Sequence, residues 1–280
     1  MSHGKIRTPG EIYRLNYRQY YNKCKENYQS SKNVDIYRDT VKVFNLGHFS
    51  KQYYDCCLEL SDLIEQDFNE NKSCSNDGIM ITHSNIWKFK KQIDILCNDI
   101  VPYLEENTYG CNLYVDKIYI YRTLNKGTRE SSYLWHYDNN PNEIIKNLVY
   151  LDDVSVDNSP FQYLEDETGN GFLGECTHLG PNHWMPPPNR SRYKDEQIEN
   201  KVSNKGFVAR KVLGLLGTTV SFNNNVVHRA NPVVAGKRDV INIRVKPTLS
   251  KPTTPADPRW TTSYEKSGAV NPDPTLDWTV

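Results

Sequence analysis

Two short stretches decide the predicted fold: Leu-Trp-His-Tyr-Asp at 134–138, and Gly-Thr-Thr-Val-Ser-Phe-Asn-Asn-Asn-Val-Val-His at 217–228. On an extended strand, residues two apart point to the same face, so His136 and Asp138 can hold one metal ion together. A His-x-acid pair alone is a weak signal, because it also arises by chance. The second stretch reads as a strand, an Asn-rich turn and the start of another strand, and it predicts His228 as a third ligand.

Two histidines and one carboxylate form the ligand set that binds Fe(II) and leaves coordination positions open for a chelating cosubstrate and O₂. A structural zinc site would instead close its coordination with protein, usually with cysteine, and no cysteine lies near either histidine in sequence. The sequence therefore predicts an iron centre with the ligands His136, Asp138 and His228.

Arg238 lies ten residues beyond His228, at the start of the alternating run Asp-Val-Ile-Asn-Ile-Arg-Val. A guanidinium is planar and can bind a carboxylate through two parallel hydrogen bonds, which suits the distal carboxylate of 2-oxoglutarate. The alternative interpretation is an ordinary arginine at the edge of a sheet. Together with the two histidines, the pattern favours the cosubstrate anchor.

Short runs rich in Val, Ile, Tyr and Phe follow one another at 113–121, 147–151, 161–164, 207–213, 218–222 and 240–245. They predict an α+β protein whose core, over 113–246, is a double-stranded β-helix, that is, a cupin-like jelly roll. Helical periodicity over 10–107 predicts an N-terminal helical cover. An insertion at 165–205 and a proline-rich extended tail at 247–280 complete a single domain spanning 1–280.

Charge and composition limit the partners that we expect. Lysine plus arginine and aspartate plus glutamate number 34 each, so no global field favours nucleic acid or a membrane surface. No apolar run approaches the length of a membrane span, and the first residues lack the apolar segment of a secretory signal. Seven cysteines without a C-x-x-C pair read as reduced thiols, so we expect a cytoplasmic protein. No oligomeric state is predicted.

The chain resembles the phytanoyl-CoA dioxygenase-like branch of the 2-oxoglutarate- and Fe(II)-dependent oxygenases. The matching blocks cover about 113–246 and are His-x-Asp at 136–138, Asn-Leu-Val-Tyr-Leu-Asp-Asp at 147–153, Ser-Pro-Phe-Gln-Tyr-Leu at 159–164, Gly-x-x-x-x-Phe at 217–222, and Arg238. The resemblance implies an enzyme that uses Fe(II), 2-oxoglutarate and O₂, hydroxylates an unactivated C–H bond and releases succinate and CO₂. Asp138 occupies the position that halogenating relatives leave free for chloride, so halogenation is disfavoured.

The sequence departs from the family where the substrate pocket is shaped. The usual Gly-Ser-His turn is replaced by Glu-Asp-Glu-Thr-Gly at 165–169, and the insertion that follows has no family pattern. The substrate is therefore predicted only as a small molecule, and an excess of basic residues over 189–211 favours an anionic one unless that loop is merely solvated. Candidate substrate-binding residues are Trp135, His178, His183, Trp184, Arg190 and Arg192.

Further candidates for the cosubstrate site are Tyr121, Arg122 and Asn147. Tyr121 and Arg122 are neighbours on a predicted strand and face opposite sides, so only one of them can reach the site.

Two alternative functions remain open. The first is an iron oxygenase of the same fold that does not use 2-oxoglutarate, with Arg238 holding a substrate carboxylate. The second is a non-catalytic jelly-roll binding module.

Overall fold

The structure is a computed structural model, and it describes residues 9–28, 30, 32–70, 74–76, 80–83, 86–125, 131–138, 140–174 and 191–256. Four α-helices and ten β-strands are found in this part of the chain, besides three short helical turns. In order they are α1 (Pro9–Glu26), β1 (Val41–Phe44), α2 (Lys51–Asn69), β2 (Cys74–Asn76), β3 (Met80–His83), α3 (Lys90–Leu104), β4 (Leu113–Leu124), β5 (Ile145–Tyr150), β6 (Phe161–Glu165), α4 (Asp195–Asn204), β7 (Val208–Val212), β8 (Thr219–Asn223), β9 (His228–Ala230) and β10 (Lys237–Pro247).

The strands form two antiparallel sheets. The larger sheet has the order β1-β8-β5-β10-β4-β3-β2, and the smaller has the order β7-β6-β9. Each of the six runs predicted as a strand falls on one of β4, β5, β6, β7, β8 and β10. The predicted α+β class is confirmed, and strands distant in sequence lie side by side, as they do in a jelly roll.

The outer face of the larger sheet is covered by helices, as predicted. Ser50 begins α2 by accepting a hydrogen bond from the main-chain N–H of Tyr53, which satisfies one of the free donors of the first turn. The buried stripe of α2 then packs with Ile120 and Ile241 of the sheet. Each such fully buried Leu or Ile contributes about 1.5–3 kcal/mol to the free energy of unfolding. The stripe comprises Tyr53, Cys56, Cys57, Leu60, Ile64, Asp67 and Phe68.

The predicted helical cover over 10–107 also contains strands, which corrects that prediction in part. Val41–Phe44 pairs with β8 at one edge of the larger sheet, and the hairpin of β2 and β3 extends the opposite edge through β4. These strands are three or four residues long, so they are too short to show a periodicity in sequence.

The insertion and the tail are described only in part. The insertion contains α4, which was not predicted. Residues 175–190 of the insertion lie outside the described part of the chain. The tail begins where β10 ends at Pro247, and residues 257–280 likewise lie outside the described residues. Among the helices that the structure describes, none is long and apolar enough to cross a membrane.

The inner faces of the two sheets enclose an apolar cluster that includes Leu148, Phe161, Phe222 and Val240. Residues two apart on a strand face the same side, so polar residues at that spacing from these apolar ones also point inward. On β10 the inward residues include Arg238 and Asn242, on either side of the buried Val240. The polar part of this interior is the candidate active site.

Candidate active site

Three side chains with metal-binding atoms meet at one end of the space between the sheets. The ligand atoms of His136, Asp138 and His228 all lie within 4.8 Å of one another, and in the described part of the chain no further His, Cys, Asp or Glu joins the group. His136 follows a single helical turn at Ser131–Tyr133, whereas His228 begins β9. Their main chains pair directly: the N–H of each residue donates to the carbonyl of the other, at 2.9 and 2.8 Å.

Both imidazole rings are oriented by main-chain carbonyls. Nδ1 of His136 lies 2.8 Å from the carbonyl oxygen of Leu134, and Nδ1 of His228 lies 2.7 Å from that of Val226. A carbonyl oxygen only accepts hydrogen bonds, so each Nδ1 carries the hydrogen and each Nε2 keeps its lone pair for a metal. Burial also lowers the pKa of both histidines, which keeps the rings neutral as ligation requires.

Asp138 is held by the turn that precedes His228. Its main-chain N–H donates to the carbonyl of Asn224 at 3.0 Å. The amide of Asn225 donates to the side chain of Asn142 at 2.7 Å and also to the carbonyl of Asn140, while its Oδ1 accepts from the N–H of Asn140 at 3.2 Å. These buried amides tie the segment after Asp138 to the segment before His228. The sequence predicts the Asn run at 223–225 only as a turn, and its three consecutive amides are the feature that could have indicated this clamp.

Lys146 is a site residue that the sequence analysis missed. It lies on β5, and its Nζ is 2.7 Å from Oδ2 of Asp138. Burial alone would raise the pKa of Asp138, but the ammonium of Lys146 holds that pKa well below its usual range. A lysine in a strand reads as surface in sequence, and only the three-dimensional pairing with Asp138 reveals its place.

The metal-binding atoms open into a cavity of about 230 Å³ between the two sheets. The rings of Phe161 and Phe222 pack on that of His228, with centroids 5.5 and 5.0 Å away, so the wall beside this histidine is apolar. The other lining residues are Tyr119, Tyr121, Thr123, Ser132, Tyr133, His136, Asp138, Lys146, Leu148, Ala230, Arg238 and Asn242.

Arg238 lines this cavity and is 2% exposed. Its Nη1 donates to the carbonyl of Ser159 and its Nη2 donates to Oγ1 of Thr123 at 3.4 Å, whereas its Nε has no hydrogen-bond partner among the described residues. No carboxylate of the described residues pairs with it. Ser159 has a φ of +68°, a left-handed conformation that costs a non-glycine residue about 1–2 kcal/mol, and its carbonyl is the one that accepts from Arg238. A buried cation without a counter-charge fits a bound dicarboxylate.

The further cosubstrate candidates are separated by the faces of their strands. Tyr121 lines the cavity, as does Arg238. Arg122 does not reach the cavity, because it faces the opposite side of the sheet and forms a bidentate ion pair with Asp239 at 2.8 and 2.7 Å. Asn147 follows Lys146 on β5, so it too faces the helical side, where its amide donates to the carbonyl of Ile243 at 2.9 Å. Both placements correct the expectation for the cosubstrate site.

The substrate candidates are only partly brought together. Arg192 pairs through its main chain with His136, and its charge also acts on Asp138. Trp135 is buried outside the smaller sheet, in a cluster with Ile198, and the guanidinium of Arg229 lies 4.5 Å above its ring. Trp135 therefore does not line the cavity. The remaining candidates, His178, His183, Trp184 and Arg190, lie outside the described residues.

No family model matches the chain, and no curated protein matches it. Solved structures do match the chain, and three of them are described here by their overall similarity. EctD from S. alaskensis, with 2-oxoglutarate and 5-hydroxyectoine, has a TM-score of 0.50 and 14% identity, covering 84% of this chain and 91% of that one. HygX from Streptomyces hygroscopicus, with nickel, 2-oxoglutarate and hygromycin B bound, has a TM-score of 0.48 and 14% identity, covering 77% and 86%. SnoN, a non-haem α-ketoglutarate-dependent epimerase from nogalamycin biosynthesis, has a TM-score of 0.46 and 12% identity, covering 82% and 84%.

The likeness to EctD shows a shared fold. That fold is a cupin-like double-stranded β-helix, which confirms the predicted fold class. It also agrees with the fold that the resemblance seen in the sequence implies.

Proposed function

We propose that the protein is a non-haem Fe(II)- and 2-oxoglutarate-dependent dioxygenase that hydroxylates an unactivated C–H bond of a small molecule. One observation carries the proposal: His136, Asp138 and His228 form an open metal-binding group in the same cavity as Arg238, a buried cation without a carboxylate partner among the described residues. The solved structures of EctD and HygX, each with 2-oxoglutarate bound, lend support at the level of the fold.

The donor set fits Fe(II). Two neutral imidazoles and one ionised carboxylate satisfy the ion from three directions and leave room for a bidentate ligand. When bound, Fe(II), 2-oxoglutarate and O₂ supply the oxidation, with succinate and CO₂ as the other products. The chain's own part is to hold the three ligands, to orient the distal carboxylate of the cosubstrate through Arg238, and to exclude water with Phe161 and Phe222 beside His228.

Tyr121 and Thr123 are proposed to complete the cosubstrate pocket. Both lie on β4 with inward-facing side chains, and Thr123 already accepts a hydrogen bond from Arg238. Burial raises the pKa of Tyr121, and the opposing charge of Arg238 does not offset this effect. Tyr121 therefore remains a neutral hydroxyl that can donate to a carboxylate.

We further propose that residues 1–280 form one oxygenase domain, that the substrate is anionic, and that the protein works in the cytoplasm. The basic side chains beside Asp138 support an anionic substrate, and Arg192 adds to them from the insertion. Five cysteines are buried free thiols, namely Cys24, Cys56, Cys57, Cys97 and Cys111. A reducing compartment keeps such thiols in that state.

The test is an anaerobic titration with Fe(II) and then 2-oxoglutarate, followed by the visible charge-transfer band of the chelate. We expect the band in the wild type, its loss in His228→Ala, and a requirement for at least about tenfold more 2-oxoglutarate in Arg238→Ala. The matched control is Arg210→Ala, which removes a guanidinium from an exposed ion pair with Glu165. Succinate formation in air then identifies turnover.

The same titration separates the alternatives. Iron binding without a chelate band would favour an oxygenase of this fold that does not use 2-oxoglutarate, with Arg238 bound to a substrate carboxylate. Failure to bind iron at all would favour a non-catalytic binding module. Either result would overturn the proposed cosubstrate.

A further inference from the structure

The carboxylate of Asp138 has two possible cationic partners. It is a candidate metal ligand, because its oxygen belongs to the group of ligand atoms that lie within 4.8 Å of one another. It is also the ion-pair partner of Lys146, whose Nζ is 2.7 Å from Oδ2. Both side chains line the cavity, and they are 18% and 17% exposed. The chain's own ammonium therefore lies directly beside the candidate metal site.

An ammonium and a divalent ion oppose each other at this carboxylate. Like charges a few ångströms apart repel strongly where water is largely excluded, and the repulsion is twice as large when one of the charges is divalent. The two imidazoles are neutral, so Asp138 is the only negatively charged member of the candidate ligand group. One carboxylate cannot neutralise both cations. Lys146 is therefore expected to leave Asp138 when the carboxylate binds a metal ion.

Asn242 offers an acceptor to the displaced ammonium. It is 5% exposed and lines the cavity, and its Oδ1 has no hydrogen-bond partner among the described residues. Asn242 is directly opposite Leu148 in the strand register, and Lys146 is directly opposite Arg244. Lys146 and Asn242 are thus diagonal neighbours on one face of the sheet, about 7–8 Å apart and within reach of a long side chain. A buried amide oxygen requires a donor, and the ammonium can supply it.

A different role for Lys146 makes the opposite prediction. Groups that hold a ligand carboxylate from outside the metal site strengthen metal binding, and their removal usually weakens it by about 10–100-fold. If Lys146 only oriented Asp138 in this way, it would stay in place with metal bound and its loss would lower the metal affinity. If it competes with the metal, its loss raises the metal affinity. The unpartnered acceptor of Asn242 favours competition, because orientation alone leaves it without a donor.

We propose that Lys146 is an internal counter-ion that competes with the metal for Asp138, and that it transfers its contact to Oδ1 of Asn242 when metal binds. Lys146 thereby neutralises the Asp138 carboxylate in the metal-free protein and keeps the metal affinity below the value that the three ligands alone would give. The inference rests on the proposed function in one respect, namely that His136, Asp138 and His228 bind a metal ion. It does not depend on the cosubstrate or the substrate.

The experiment is anaerobic calorimetric titration of the full-length protein with Fe(II), without 2-oxoglutarate. Lys146→Met removes the charge and keeps a long side chain, and we expect it to bind Fe(II) at least about tenfold more tightly than the wild type. Asn242→Ala should bind Fe(II) about tenfold more weakly, because the displaced ammonium loses its acceptor. The matched control is Lys42→Met, which removes a lysine of β1 that pairs with Asp39 at 3.2 Å and should leave the affinity unchanged.

The double variant Lys146→Met/Asn242→Ala tests the transfer itself. Without the ammonium, Asn242 has no part in the exchange, so the double variant should bind Fe(II) as tightly as Lys146→Met. Lys146→Gln is the second variant if Lys146→Met does not fold. It also lacks the charge but can still donate a hydrogen bond to Asp138, and we expect the same rise in affinity.

The inference is overturned if the uncharged variants of Lys146 bind Fe(II) no more tightly than the wild type. It is also overturned if Asn242→Ala weakens binding equally with and without Lys146. Neither result affects the chelate band that tests the proposed function. Conversely, tighter Fe(II) binding by Lys146→Met without any chelate band would support the exchange and overturn the cosubstrate. Failure of every variant to bind Fe(II) would overturn both.

Discussion

His136 and His228 exchange two main-chain hydrogen bonds, at 2.9 and 2.8 Å, and their ring centroids lie 4.3 Å apart. The two candidate ligands are therefore positioned by backbone pairing rather than by side-chain contacts. Since each Nδ1 also donates to a carbonyl, the rings have little freedom to turn. Hydrogen bonds that hold the ligand rings in place favour metal binding, because less ordering of the ligands is needed when an ion binds.

Metal that binds at His136, Asp138 and His228 should stabilise the folded protein. At an Fe(II) concentration of about one hundred times the dissociation constant, we expect the free energy of unfolding to rise by about 2.7 kcal/mol. Anaerobic thermal unfolding with and without Fe(II) measures this effect. His228→Ala should abolish the rise, whereas His48→Ala, which changes an exposed histidine outside the site, should retain it. A rise of equal size in His228→Ala would contradict the assignment of His228 as a ligand.

The amide clamp around Asp138 predicts a second effect on metal binding. Asn225→Ala removes the hydrogen bonds to Asn140 and Asn142, so the carboxylate loses its fixed position and metal affinity should fall by about 10–100-fold. Calorimetric titration with metal gives the affinity.

Asn147→Ala is the matched control for this clamp. Asn147 is equally buried, but its amide donates to Ile243 on the helical side of the sheet. We expect both variants to lose about 1–3 kcal/mol of the free energy of unfolding, and only Asn225→Ala to lose metal affinity. Equal metal affinities in the two variants would show that the clamp does not position Asp138.

Arg122 should matter for stability and not for the cosubstrate. Its guanidinium pairs with Asp239, which is 1% exposed, and with Glu65. Arg122→Ala leaves the Asp239 carboxylate without its bidentate partner, although Lys237 remains, so we expect a loss of about 3–5 kcal/mol in the free energy of unfolding. Urea unfolding measures the loss, and Arg210→Ala, in an exposed pair, should change stability by less than about 1 kcal/mol. Weaker 2-oxoglutarate binding by folded Arg122→Ala would show that Arg122 does contribute to the cosubstrate site.

The difference between Tyr121 and Arg122 shows how far the sequence could go. Alternation on a strand predicts that the two residues face opposite sides, and the structure has them so. Arg122 is the one that faces away from the cavity, because it pairs with Asp239. That residue lies on another strand, 117 residues further along the chain. His136, Asp138 and His228 could be grouped from sequence because two short motifs carry them, and their ligand atoms lie within 4.8 Å of one another in the structure. Lys146 could not be recognised in this way, because its partner Asp138 lies in an irregular segment whose path no periodicity encodes.

Lys117, a buried lysine of β4, gives a pH-dependent prediction. Burial, together with the neighbouring Arg244, lowers the pKa of Lys117 to about 8, against the opposing effect of Asp116. The unfolded chain, with a pKa of about 10.4 at this lysine, therefore binds more protons than the folded protein between pH 8 and that value. In this window the contribution of Lys117 to the free energy of unfolding becomes more favourable as the pH rises, by on the order of 3 kcal/mol in all. Below pH 8 Lys117 is charged in the folded protein, so the free energy of unfolding is lowered by the full cost of burying that charge.

Lys117→Met isolates this effect from other groups that titrate in the same range. The variant has no charge at position 117, so in buffer without phosphate it should be more stable than the wild type at pH 7.5. That advantage should shrink steadily as the pH rises to 10. Urea unfolding at several pH values gives the difference between the two proteins, in which the shared tyrosines and cysteines cancel. A constant difference across the window would mean that Lys117 is charged to the same extent in the folded and unfolded chains, which would contradict the lowered pKa of this lysine.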